Sequence, residues 1–171
     1  MRASPAVSSP LASPPPERSS VSANREPAQQ HSVSVAGVAV REDGRVLVIR
    51  RADNGRWEPP GGVLERDEAI EEGVRREVYE ETGIKVHVER LTGVYKNMTL
   101  GVVALVFRCS PAGGHERLSD ESTAVTWLAL DEVMTRMSEA YSVRIADALT
   151  DDLAPHIRTH DGRNLTVPDC Y

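Results

Sequence analysis

Within residues 62–84, GVLERDEAIEEGVRREVYEETGI, glutamates stand at positions 77, 80 and 81. At about 100° per helical residue, Glu77, Glu80 and Glu81 fall within an arc of roughly 100° on one side of a helix. Carboxylates held a turn apart repel one another in water. A chain that gathers three of them has use for a cation, and hard oxygen donors suit Mg²⁺ or Mn²⁺. Divalent ions that bridge carboxylates and phosphate oxygens polarise phosphorus and acidify a bound water, which is the chemistry of phosphoanhydride cleavage. The bland alternative is a solvated acidic helix laced by i,i+4 charge pairs.

A helix must carry these residues. Ile70, Val74 and Val78 recur at i+4 and predict a buried stripe on a helix over 68–82. That stripe borders the Glu77/Glu81 edge, so the carboxylates are expected at the rim of a core. Gly83 is expected to stop the helix in a left-handed conformation. Gly73, inside the helix, costs about 1 kcal/mol against alanine, and close packing against a strand is its expected reason. Ahead of the helix, Trp57-Glu58-Pro59-Pro60-Gly61-Gly62 predicts irregular chain, since prolines and glycines oppose regular structure.

Apolar alternation predicts strands over 32–40 and 45–51, with Glu42-Asp43-Gly44 as the turn between them. Further strands are expected over 84–95, 100–110 and 124–130, with a loop at 111–115. Asp131 is expected to cap a short helix, and 141–149 reads as another. The chain from 156 onward reads as a small hairpin or as irregular. Strands surrounding two or three helices give the α/β (α+β) class.

The acidic stretch also carries a spacing that resembles the Nudix hydrolase signature, G-x5-E-x7-R-E-U-x-E-E-x-G-U, where U is a bulky aliphatic. Gly62, Glu68, Arg76, Glu77, Glu80, Glu81 and Gly83 fill the fixed positions, Val78 and Ile84 the aliphatic ones, and no position departs. At ordinary residue frequencies, chance gives seven such identities below roughly 10⁻⁸ per starting point. The resemblance spans residues 32–149. It implies an α/β/α sandwich with a mixed sheet, a Mg²⁺ or Mn²⁺ cofactor, and hydrolysis of a nucleoside diphosphate linked to another group. It implies Glu77, Glu80 and Glu81 as metal ligands, joined by the carbonyl of Gly61 or Gly62. Arg76 and Glu68 would form an ion pair that orients the catalytic glutamate. A further loop glutamate is expected near the metal, and Glu121, six residues before Trp127, takes that place with Asp120 as its neighbour. The general base is Glu77 or Glu121. The resemblance also allows a homodimer.

Substrate contacts are sought around the second strand. Arg50 and Arg51 end it, and alternation places them on opposite faces. Arg51 aligns with a phosphate-binding arginine of nucleotide-cleaving relatives, and its planar fork suits phosphate oxygens; an exposed strand-end arginine is the alternative. Trp57 stacks a base or packs the loop, and Glu58 reads base edges or caps the loop. Tyr95, Lys96 and Asn97 end a strand near the expected cleft. Marks of the NADH- and coenzyme A-cleaving subfamilies are missing. That leaves an NTP, a dNTP or a nucleotide sugar such as ADP-ribose.

The 171 residues allow one domain of common size. A net charge of −6 opposes non-specific nucleic-acid binding, and no apolar run reaches the ~20 residues of a membrane span. Cys109 and Cys170 make no metal spacing, and a reducing cytoplasm is the simplest setting. Residues 1–30 hold seven serines and six prolines and are expected to be a disordered tail without a secretory signal. Residues 31–153 are expected to form the hydrolase domain and 154–171 a C-terminal extension. The rival readings are a non-catalytic, nucleotide-sensing domain of the same family, or a relative acting on an RNA cap or a terpenoid diphosphate.

Overall fold

The computed structural model describes residues 30–166, so all but the last residue of the expected tail, and Cys170, lie outside the described residues. In chain order the elements are β1 (Ser32–Ala39), β2 (Val46–Arg51), β3 (Trp57–Glu58), β4 (Gly61–Val63) and α1 (Ile70–Thr82). There follow β5 (Ile84–Asn97), β6 (Val102–Gly114), β7 (Ser122–Leu128), α2 (Leu130–Arg136), α3 (Glu139–Leu149), β8 (His156–His160) and β9 (Leu165–Thr166).

β1 organises the molecule. Its alternation sends Val35 and Ala39 to one face and Ala36 and Val38 to the other, and all four are buried. A strand that is apolar on both faces needs a layer on each. α1 supplies one, packing Val74 and Val78 with Val35, Ala39, Phe107 and Cys109. α3 supplies the other, packing Ile145 and Ala148 with Ala36, Val38, Tyr95 and Val106. Each fully buried valine contributes about 1.5–3 kcal/mol. The six-stranded sheet between them runs β4-β1-β6-β5-β8-β9. It is mixed: β1–β6 and β5–β8 are parallel, the other pairs antiparallel. A second sheet runs β3-β2-β7. The expected sandwich with a mixed sheet is the observed fold. Among the described residues, no helix is long and apolar enough to cross a membrane.

Several local expectations are corrected. β1 and β2 do not form a hairpin; they share only the Val40–Val46 bridge and join different sheets. Both edges of β1 are taken, by β4 and β6, so β2 turns away to pair with β3 and β7. The stretch 57–62 is not irregular throughout. Its prolines fall where the chain crosses from one sheet to the other, between β3 and β4, and the Pro60 carbonyl accepts the Gly37 N–H at 3.0 Å. β6 continues through the expected loop at 111–114, with a register shift at Lys85/Val86 that accommodates Pro111. Ile70 is 42% exposed, at the first position of α1, and does not join the buried stripe. Asp131 is not the cap: α2 starts at Leu130, and Glu132 accepts the Ala129 N–H at 2.9 Å. From 156 onward the hairpin reading holds, since β8 and β9 pair antiparallel, and β8 also extends the main sheet beside β5.

Candidate active site

The end of α1 and the short strand β4 meet at the centre of the site. Gly83, at φ 76°, ends the helix with its N–H on the Tyr79 carbonyl, so Glu81 stands in the last turn facing inward. Glu81 is 4% exposed, and its carboxylate accepts the Gly61 N–H at 2.8 Å. Gly61 must be glycine because β4 lies flush on β1: a Cβ there would run into the Val35 carbonyl and come 2.7 Å from the Ala36 Cα. Gly62 is glycine for a different reason. A Cβ on it would sit 2.6 Å from both carboxylate oxygens of Glu77. The paired glycines thus let two carboxylates from one helix face lie directly on the β4 backbone.

Arg76 braces the arrangement. Its Nε and Nη2 grip the two oxygens of Glu68 at 2.9 and 2.6 Å. Its Nη1 donates to Glu77 at 2.8 Å and Glu80 at 3.1 Å, and Nη2 also reaches the Val63 carbonyl at 3.2 Å. Glu68 lies over the helix because Gly73 leaves room: a Cβ at 73 would come within 2.8 Å of a Glu68 oxygen and of Leu64. The expected strand against Gly73 is therefore a loop. Glu80 sits at the outer edge, its side chain 59% exposed.

Charge is unevenly tolerated here. Arg76 draws the Glu68 carboxyl down to about 2. Burial pushes Glu81 up to about 8; the Gly61 N–H opposes this, and the charges of Glu77, Glu58 and Glu121 add to it. Burial also raises Glu77, against the pull of Arg76. Glu121 is exposed in the loop before β7, whose position is fixed by its own carbonyl accepting the Ala52 N–H at 2.8 Å.

The substrate candidates separate. A register shift between Arg50 and Arg51 ends β2. Arg51 turns inward to Asp53 at 2.9 Å and Glu58 at 3.2 Å, and these partners, Asp53 first, raise its pKa. Arg50 points outward and donates to the Gly55 carbonyl at 3.1 Å. Glu58 is buried, with its carboxyl raised by burial against the pull of Arg51. Trp57 takes the opposite face of β3, packs on the α3-side core and lies under the Arg136 guanidinium at 5.6 Å. The structure therefore brings together Glu77, Glu81, Gly61, Gly62, Arg51 and Glu58, and leaves Arg50 and Trp57 apart.

A cavity of about 170 Å³ opens from Arg51, Glu58 and Gly61. Its far wall holds Asn97 and two residues that reading the sequence missed, Tyr141 and Arg144 of α3. The signal was available: Arg144 and Asp147 interrupt the apolar face of α3 at positions that its period places inward.

The family model of the NUDIX domain matches residues 30–149. The chain belongs to the Nudix family. A MutT-like protein of Streptomyces ambofaciens is 69% identical over 135 residues, covering 79% of this chain and 87% of that protein. An ADP-ribose pyrophosphatase of Methanocaldococcus jannaschii is 32% identical over 109 residues, 60% of this chain and 64% of that protein. The NUDIX hydrolase of Nitrosomonas europaea shares the fold, with a TM-score of 0.68 at 22% identity over 77% of this chain and 81% of that one. As a Nudix enzyme the chain is a hydrolase of phosphorus-containing anhydrides. Its Nudix box is the segment from Gly62 through Ile84, which takes in the end of β4, α1 and the Arg76–Glu68 ion pair. The Nudix match ends at α3, yet β8 beyond it pairs with β5.

Proposed function

We propose that this Nudix hydrolase cleaves the pyrophosphate bond of a free nucleoside diphosphate joined to another group. An NTP, a dNTP or a nucleotide sugar such as ADP-ribose is the substrate, and Mg²⁺ or Mn²⁺ the cofactor. The observation that carries this reading is the seating of Glu77 and Glu81 on the Gly61–Gly62 backbone, with both carboxyls pushed toward protonation. Burial disfavours two negative charges there, and a divalent cation offsets them. The donors are all oxygens, as Mg²⁺ and Mn²⁺ prefer. Among the described residues, no three acidic, histidine or cysteine side chains close into a ready cage. Mg²⁺ suits such an open site, because it keeps water and phosphate oxygens beside one or two carboxylates.

Glu81 and Glu77 would hold the ion, with Glu80 and Glu121 at the margins and the carbonyl of Gly61 or Gly62 adding a backbone oxygen. The bound cation would supply Lewis acidity toward the phosphorus and a bound water. Glu77 or Glu121 would accept that water's proton; both are within the electrostatic reach of Glu81. Arg51 faces the cavity mouth with a guanidinium suited to phosphate oxygens. The net charge of −6 supports a small nucleotide over a nucleic acid. Cys109, a buried thiol pushed up to about 12 by burial, is compatible with a reducing cytoplasm.

The direct test is a panel of nucleoside triphosphates, ADP-ribose and nucleotide sugars, each with Mg²⁺ and with Mn²⁺. Release of a nucleoside monophosphate is expected from at least one. Tight binding without turnover on any would replace this reading with the nucleotide-sensing one. Arg76 is proposed to act through Glu77. Arg76→Lys keeps the charge but loses the planar grip on Glu68. Its kcat should fall about 10- to 100-fold with little change in KM; an equal rise in KM alone would place Arg76 on the substrate instead.

A further inference from the structure

Arg144 is a buried cation short of acceptors. It is 8% exposed, and burial lowers its pKa. Its guanidinium lies 4.6 Å from the Tyr141 ring centroid and 5.3 Å from that of Tyr95. Its Nε has no hydrogen-bond partner. Its Nη2 meets one atom, Nε2 of His160, at 3.1 Å. The other ring nitrogen of His160, Nδ1, receives the Gly162 N–H at 3.0 Å. A neutral imidazole has a single lone pair for such bonds. His160 is kept neutral by burial and by Arg144. Two donors therefore compete for one acceptor, and the bond between Arg144 and His160 is contested.

Neighbouring carboxylates offer no relief. Asp147, on the same helix, accepts from the Tyr95 hydroxyl at 2.7 Å and from Nε and Nη2 of Arg158, each at 2.7 Å. These partners hold its carboxyl below the usual range although burial works against them. Glu58 is engaged by Arg51. A buried charge without adequate hydrogen bonds is unfavourable. The cavity beside Arg144 is the one that opens from Gly61, whose N–H holds Glu81.

We propose that Arg144 is a specificity-determining residue, which donates to an oxygen acceptor of the nucleotide, with His160 as the residue that positions it. The acceptor is an exocyclic carbonyl of the base or a phosphoryl oxygen. This inference takes from the hydrolase reading only that the ligand is a nucleotide. Adenine has no exocyclic carbonyl, whereas guanine and uracil do, and this separates the two sources.

The test is equilibrium binding to the full chain in EDTA, so that neither metal nor turnover enters. The probes are GMP, UMP, AMP and inorganic phosphate. The proteins are the parent, Arg144→Met, Arg144→Lys and Leu100→Trp. Leu100 lines the same cavity but is 72% exposed, so its replacement blocks the space without disturbing the core. GMP should bind about tenfold or more weakly to Arg144→Met, with partial recovery in Arg144→Lys, and weakly to Leu100→Trp. A parent preference for GMP and UMP over AMP that vanishes in Arg144→Met assigns a base carbonyl. An equal loss for all three, with phosphate competing, assigns a phosphoryl oxygen.

GMP affinity within twofold of the parent in a folded Arg144→Met overturns the proposal, as does a parent that binds none of the probes. If Arg144→Met fails to fold, unchanged GMP binding by Leu100→Trp overturns it instead. Hydrolysis measured in parallel separates the two claims. A parent that hydrolyses nucleotides while Arg144→Met binds them normally rejects the role of Arg144 alone. A parent that binds through Arg144 but hydrolyses nothing rejects the hydrolase reading alone.

Discussion

Glu81→Gln is expected to lower hydrolysis of the nucleotide substrate about 10³-fold and, in the presence of a chelator, to make the protein more stable. The first effect follows from the proposed role of Glu81: a charged ligand would be lost from a cation that would contribute several kcal/mol to the transition state, at 1.36 kcal/mol per tenfold. The second follows from burial. In the unfolded chain this carboxyl titrates near 4.5, and in the folded protein at about 8. Between those values the unfolded state has released its proton and the folded state keeps it. Stability therefore falls as pH rises through this window, and the loss is complete above about pH 8. Its size is on the order of 3–5 kcal/mol. Glutamine has no proton to lose, and its amide oxygen still accepts the Gly61 N–H. Denaturant unfolding in EDTA at pH 5 and pH 8.5 checks this: the two proteins should nearly coincide at the lower pH and diverge at the higher. Parent-like turnover by the variant would remove Glu81 from the metal site. A variant that loses stability with pH as steeply as the parent would show that Glu81 is not the destabilising charge.

Adjacent glycines should fail in opposite ways. Gly61→Ala drives a methyl group into the backbone of β1, at the Val35 carbonyl and the Ala36 Cα, and neither can move without breaking the β1–β4 pairing. Overpacking of this kind costs about 3 kcal/mol, or about 10 °C in Tm for a domain of this size. For Gly62→Ala the nearest atoms are those of the Glu77 carboxylate, the end of a flexible side chain. That group can swing aside at little cost, so Tm should change by no more than about 2 °C. Displacing Glu77 should nevertheless lower kcat about 100-fold or more, since in the proposed site a carboxylate shifted by about 1 Å would no longer meet the metal or the water. Thermal unfolding and steady-state kinetics on both variants decide the matter. An active Gly62→Ala would separate Glu77 from the chemistry.

How much of this was legible beforehand depended on the range of the forces involved. α1, its Val74/Val78 stripe and the left-handed Gly83 follow from neighbours within a few turns, and local periodicity encodes them. The Arg76–Glu68 pair was anticipated only through family resemblance, because the loop that folds Glu68 over Gly73 has no periodic signal. The β1–β2 hairpin failed because a turn sequence cannot report that both edges of β1 are filled by β4 and β6. The alternation rule for Arg50 and Arg51 gave opposite sides but no preference between them. The companions of Arg51, Asp53 and Glu58, emerge only once β3 pairs with β2.

By itself the sequence determined the family, the helix that carries the carboxylates and the hard-oxygen character of the site, because identity and spacing along one helix suffice for these. Tertiary structure alone decided which carboxylate is buried, why each of two neighbouring glycines is required, and that Arg144 from a distant helix faces the cavity. These depend on what lies across contacts between segments well separated along the chain, for example Gly61 with Glu81. Desolvation and steric exclusion act across such contacts, and neither is written in the spacing of residues along the chain.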